Sequence, residues 1–286
     1  MAKGRELKGR IKSVENTRKI TRTMEMVATS KMKRAQDRVA AARPYARALS
    51  EVLSDLYSPE LAERFPLLRQ PTHVRRAAVL LLTSNRGLAG GFNANLIKEA
   101  RTLLNQLEAD GVEVELHAVG RKGIGFFRYL GRTLLSARTD ISDRPTAEDA
   151  QGLANGLIQS FTERTLDAVY VVYAKFNSAL STPPVAERVL PVAPPERRGA
   201  ARDYILAPDA DSILKGLLPL YVRNSVYRAL VENVAGEQSA RRTAMKNATD
   251  NANDIITALR RTYNRARQAQ ITQEIAEIVG GAAALE

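Results

Sequence analysis

The stretch from Gln238 to Leu285 limits what this chain can become more than any other. Read every three or four residues, one stripe runs Met245, Ala248, Ala252, Ile255, Leu259, Thr262, Ala266, Ala269, Gln273, Ala276, Gly280, Ala283. The spacing alternates without a slip and no proline intervenes, which predicts a long helix with a heptad seam. Half of those positions are alanine, so the seam admits a partner helix at close range and yields a slender rod. Near the end a second apolar stripe appears, Ile271, Ile275, Ile278, Ala282 and Leu285. One partner helix cannot cover both stripes, and a helix that is apolar on most sides is normally buried. The tip of the rod is therefore expected to sit inside something else.

The opposite end of the chain carries a matching pattern. Leu7, Ile11 and Val14 begin a stripe, and Ile20, Met24 and Val27 continue it after a phase shift. Met32, Ala35, Val39, Ala42, Ala46, Leu49, Leu53 and Leu56 then keep the three–four alternation through Pro44. About 55 helical residues would span roughly 80 Å, longer than the core of any small domain. Two such helices at the ends of one chain most simply pair with each other, antiparallel.

Between them the periodicity changes. Tyr57–Thr72 reads as a linker, and Ala77–Thr83 and Ala168–Ala174 as wholly apolar runs expected of buried parallel strands. Val112–Val119, Leu134–Ser136 and Val185–Val192 read as further strands. Helices are expected near 94–109, 123–130 and 147–164, and Pro194–Pro208 as an irregular surface stretch. Strands alternating with helices predict a Rossmann-like α/β domain inserted between the arms of a coiled coil. The expected boundaries are 1–57 for the first helix, 58–209 for the α/β domain and 210–286 for the last helix.

Composition narrows the function. Cysteine is absent, which rules out disulfides and thiolate metal sites, and no apolar run is long enough to span a bilayer. The basic N-terminus lacks the apolar core of a signal peptide. The formal net charge is +12, and residues 1–50 hold 14 Lys/Arg against 4 Asp/Glu. A helix this basic suits nucleic acid, an anionic membrane surface or an acidic protein. Residues 1–44 carry no aromatic side chain to stack on bases, which weighs against specific nucleic-acid reading; a basic coiled-coil nucleic-acid-binding protein stays as the alternative. The loop SNRGLAGGFN, 84–93, stands where phosphate loops stand, yet lacks the Gly-Lys-Ser/Thr ending and the dinucleotide spacing. His73 and His117 have no partners for a metal site, and no nucleophile–base arrangement or paired carboxylates stand out. The expectation is a non-catalytic chain without cofactor or metal.

The runs IKSVENTRKITRTMEMVATSKMKRAQ (11–36) and ARQAQITQEIAEIVGGAAAL (266–285) closely resemble the terminal helices of the γ subunits of F-type ATP synthases. TSNRGLAGGFN, VGRKGIGFFRYLG and VENVAGEQSARRTAMKNATDNA are similar to the same family in the same order. The family signature falls on Ile271, Thr272, Glu274, Glu277, Gly281 and Ala282. The resemblance implies a central-stalk rotor that couples proton-driven rotation of the c ring to the catalytic β subunits. It implies as partners the α3β3 hexamer, the ε subunit and the c ring, with no nucleic acid and membrane contact only through the complex. By residue match, the contacts to β fall on Arg267, Gln268 and Thr272, with Arg241 and Met24 lower on the shaft. The run DYILAP (203–208) resembles the foot on the c ring, giving Tyr204 and Leu206; Ala207 stands where the family often has an acid. Absence of the paired cysteines of chloroplast relatives points to the cytoplasmic face of a bacterial plasma membrane.

Overall fold

The computed structural model describes residues 2–57, 64–193 and 209–283. Helix α1, Ala2–Leu56, opens the chain and helix α5, Ala210–Ala283, closes it. Each runs through an internal proline, Pro44 in α1 and Pro219 in α5. The chain divides into two compact units, one formed by residues before 29 and after 240, the other by Thr29–Ala240.

In the first unit the two terminal helices pair antiparallel. Glu15 meets Arg260 at 2.6 Å, Arg18 meets Asn253 at 3.1 Å, and Thr21 meets Thr249 at 2.8 Å, so one number falls as the other rises. The seam differs in phase from the sequence reading. On α1 it runs through Leu7, Ile11, Val14, Arg18, Thr21, Glu25 and Ala28, an unbroken heptad, while Ile20 and Val27 are 60% and 50% exposed. On α5 it follows Met245, Ala252, Ile256, Leu259, Tyr263, Ala266 and Gln270; Ile255, Thr262 and Ala269 face solvent. The seam mixes apolar residues with hydrogen-bonded polar ones, and Ile20, Val27 and Ile255 are left outside it.

The centre of that seam is polar. The Thr249 hydroxyl donates to Thr21 Oγ1, and the Thr21 hydroxyl donates to the Arg18 carbonyl at 3.1 Å, both within a buried layer. Thr249→Val removes one hydroxyl and strands its neighbour's acceptor, so it is expected to cost about 1–2 kcal/mol. Thr21→Val together with Thr249→Val should recover part of that. Urea denaturation of both single variants and the double variant measures the coupling, which additivity would set to zero.

The second unit is a five-stranded sheet in the order β3-β2-β1-β4-β5. Its strands are β1 Arg76–Leu82, β2 Glu113–Val119, β3 Ser136–Arg138, β4 Ala168–Ala174 and β5 Pro184–Leu190. β1 to β4 are parallel and β5 is an antiparallel edge strand. Burial on both faces explains the uninterrupted apolar sequence of β1 and β4. Ala77, Val79 and Leu81 point to helices α2, Phe92–Ala109, and α3, Arg121–Tyr129. Ala78, Leu80 and Leu82 point to helix α4, Ala147–Thr162, which Thr146 and Asp149 start with reciprocal capping bonds.

That second face also receives Leu53 of α1 and Leu214, Leu218, Val222, Val226 and Leu230 of α5. Each fully buried aliphatic chain contributes roughly 1.5–3 kcal/mol, so these helical stretches are core elements of the α/β unit. The unit boundaries therefore fall near 28 and 240, where the sequence placed them near 57 and 209. A heptad stripe and the ridge of a helix packed on a sheet share one periodicity, so the sequence pattern alone cannot separate them. Leu67 and Leu68 of the expected linker are buried as well, in a short 3-10 turn.

His117 of β2 brings a titratable group into this unit. Its Nδ1 lies 2.9 Å from Ser136 Oγ, its Nε2 is buried without a partner among the described residues, and burial holds its pKa below the usual value. The unfolded chain thus binds a proton more readily. Stability from this group is complete above about pH 6.5 and falls as pH drops toward the depressed folded value. Melting temperature measured from pH 8 to pH 5 should fall less for His117→Gln than for the parent chain.

Candidate protein interface on the terminal helices

The pairing in the first unit has a definite end. Continuing the register from Thr21–Thr249 and Glu15–Arg260 exhausts α1 at about the level of residue 270 of α5. From Ile271 to Gly280 every position is exposed. Ile271, Ile275, Ile278 and Val279 are 47%, 56%, 73% and 62% exposed, in a row at helical spacing. Scattered exposed aliphatics need no explanation, but a contiguous row of them is the kind of surface that interaction sites present.

Beside that row the polar groups are ordered by the helix itself. Gln270 Nε2 donates to Glu274 at 2.8 Å, and Gln273 Nε2 donates to Glu277 at 2.8 Å. Thr272 donates back to the Gln268 carbonyl at 3.0 Å. Arg267, Gln268, Ile271, Thr272, Glu274 and Glu277 are thus brought together on one exposed helical segment. Gly281 and Ala282 lie in the last described turn of the same helix. Arg241 and Met24 lie elsewhere: Arg241 is buried at 8% exposure and Met24 is half-buried. Tyr204 and Leu206 fall outside the described residues. Sequence reading missed the polar layer of Glu15, Arg18, Thr21, Thr249, Asn253 and Arg260. Carrying the three–four count onward from Leu7, without stepping aside to reach apolar residues, finds Arg18 and Thr21 but not Glu15.

The glycine-bearing loop between β1 and α2 spends its hydrogen bonds on this chain. The Ser84 amide donates to Asn93 Oδ1 at 3.0 Å, and Asn85 Nδ2 donates to the carbonyls of Thr139 and Ile141. Asn85 Oδ1 accepts from the Arg121 amide at 3.1 Å, tying the loop to the start of α3. In open α/β sheets ligands favour the crevice where strand order reverses, here beyond β1 and β4. That place is filled by α5. Asn233 Oδ1 accepts from the Ala174 amide at 3.1 Å and Glu232 Oε2 from the Phe176 amide at 3.0 Å. Gly236 permits the approach, since a Cβ there would stand 3.0 Å from that of Ala174.

The family model for ATP synthase matches residues 3–285. The ATP synthase gamma chain of Gemmatimonas aurantiaca is 69% identical, with 100% of both chains covered. This chain belongs to the ATP synthase gamma-chain family. The gamma chain of Leptospira biflexa is 43% identical, again across 100% of both chains. Among solved structures, the central stalk and c-ring structure of the Tetrahymena thermophila mitochondrial ATP synthase is similar at a TM-score of 0.62 and 27% identity. It covers 80% of this chain and 99% of the other. A Euglena gracilis mitochondrial ATP synthase structure shares the fold at a TM-score of 0.68 and 17% identity, over 99% and 95% of the two chains. These likenesses support the central-stalk reading of the terminal helices and not the nucleic-acid one. Gamma chains belong to a membrane-associated complex, and among the described residues no helix of this one is long and apolar enough to cross a membrane.

Proposed function

We propose that this chain is the turning shaft of a bacterial ATP synthase, non-catalytic itself, held at the cytoplasmic face of the plasma membrane through its complex. The observation that carries the reading is the row of exposed aliphatics on α5 beyond the end of α1, in a chain of this family. An α3β3 ring supplies the apolar sheath for that row, and ε and the c ring hold the α/β unit. The stretch with Tyr204 and Leu206 is assigned to the c ring on family resemblance.

The work of such a shaft is differential contact. One asymmetric helix pair cannot touch three identical β subunits alike, so each orientation gives each β a different contact energy. A difference of about 5.5 kcal/mol moves an open–closed equilibrium from 1:99 to 99:1. Small and short aliphatic side chains at the tip offer little to interlock and suit a sliding bearing. Arg267, Gln268 and Thr272 supply the directional polar contacts, with Arg241 and Met24 further down. A charge-assisted bond from Arg267 to a β carboxylate is worth about 1.5–3 kcal/mol. Arg267→Ala with Gln268→Ala is therefore expected to lower ATP turnover of the assembled complex at least about ten-fold, or to uncouple it from proton transport. Both side chains are exposed, so the isolated variant should melt like the parent. Unchanged turnover and coupling would refute the assignment.

A further inference from the structure

On the α/β unit a recess of about 140 Å³, open to solvent, lies between α1, the turn after β3 and α5. Its polar lining is Lys31, Arg34 and Arg38 of α1, Asp143 and Arg144 of the turn, and Gln238 of α5. Four cations face one carboxylate, and that carboxylate is already paired with Lys31 at 2.5 Å. Arg38 spends one N–H on the Asp143 carbonyl at 3.1 Å, and Arg34 spends one on Ser30 Oγ at 3.0 Å. Each guanidinium has five donors, so most remain available. Arg144 makes no side-chain ion pair with a described residue. Three guanidinium groups and one ammonium around a single carboxylate leave an excess of positive charge in the recess, and an anion among them offsets it.

Gln238 is the independent sign of a ligand. The residue is only 2% exposed, it lines this cavity, and its side-chain amide makes no hydrogen bond to any described residue. Its amide atoms are not among the fully buried unpaired atoms of the described residues, so they reach the recess and are free to bond with what occupies it. A buried amide opening onto a recess that is otherwise lined by guanidinium groups fits one chemistry, a multivalent oxyanion that accepts from N–H donors on several sides.

We infer that this cavity binds a small tetrahedral oxyanion, inorganic phosphate or the terminal phosphate of a nucleotide, held by Arg34, Arg38, Arg144 and the Gln238 amide. The volume favours the free ion: pockets for drug-sized molecules begin at about 300 Å³, and this one is under half that. The inference stands apart from the rotor reading, since every lining residue belongs to the α/β unit and the test needs the chain alone.

Titration calorimetry of the full-length chain with inorganic phosphate at low ionic strength tests it, with ADP and a Glu-rich peptide as parallel arms. The expected result is saturable one-to-one phosphate binding, weakened at least ten-fold in Arg34→Gln/Arg144→Gln and severalfold in Gln238→Leu. The two arginines are exposed, so the double variant should melt at the parental temperature. Stronger binding of ADP than of phosphate, lost in the same variants, would assign the site to a nucleotide phosphate. No saturable binding, binding unchanged in the variants, or a peptide that displaces phosphate at lower concentration would overturn the assignment.

Discussion

Gly120→Ala is expected to destabilise the α/β unit by roughly 2–5 kcal/mol and to lower its melting temperature by about 10 °C, measured by calorimetry on the isolated chain. Gly120 follows β2 with a φ of 94°, a conformation that L side chains rarely adopt. A Cβ there would stand 2.2 Å from the Thr83 carbonyl oxygen, and the neighbour that must yield is backbone. That backbone is pinned: the Thr83 amide and hydroxyl both donate to the Val119 carbonyl at 2.8 Å, and Thr83 Oγ1 accepts from the Gly123 amide at 2.9 Å. The left-handed conformation alone costs about 1–2 kcal/mol, and forced displacement in a packed interior adds about 1–3 kcal/mol. Gly125→Ala, five residues on in α3 with nothing within 4 Å of its Cβ position, is the control and should be neutral or slightly stabilising.

The second large effect lies at the other extreme of burial. Replacing Ile271, Ile275 and Ile278 together by aspartate is expected to leave the melting temperature of the isolated chain within about 2 °C, because all three are exposed on an unpaired helical segment. On the proposed function the same positions lose their water in the assembled enzyme, and an unpaired buried carboxylate costs several kcal/mol. Recovery of the α3β3γ complex after mixing should fall more than 100-fold, read by size-exclusion chromatography. A triple variant that assembles like the parent would show that this row is not sheathed. One that unfolds on its own would show that it packs within the chain.

Much of this was legible in the residues, for identifiable reasons. AAVLLLT and AVYVVYA announce strands covered on both faces, and β1 and β4 are those strands at the centre of the sheet. The terminal helices follow from sustained three–four spacing. The phase of their seam does not, because cross-helix hydrogen bonds hold polar groups inside it: Thr21 and Arg18 bond to the partner helix while Ile20 sits outside. The packing of 29–56 and 210–240 onto the sheet was hidden by the shared periodicity of coiled coils and sheet-packed helices. Arg267, Gln268 and Thr272 were picked out by family resemblance; nothing in their spacing sets them apart from other exposed polar residues. The basic cavity was invisible because Lys31, Asp143 and Gln238 are far apart in sequence and come together only when α1, the turn after β3 and α5 pack.

The central claim is that the helix pair turns within a ring that surrounds it. The chain contains no cysteine, so Tyr129→Cys, at a side chain 88% exposed on the α/β unit, gives a unique attachment point for a bead. With the α3β3 ring fixed to a surface and ATP added, the account predicts that the bead turns in one direction, pausing three times per revolution. ATP turnover with the bead stationary would contradict it.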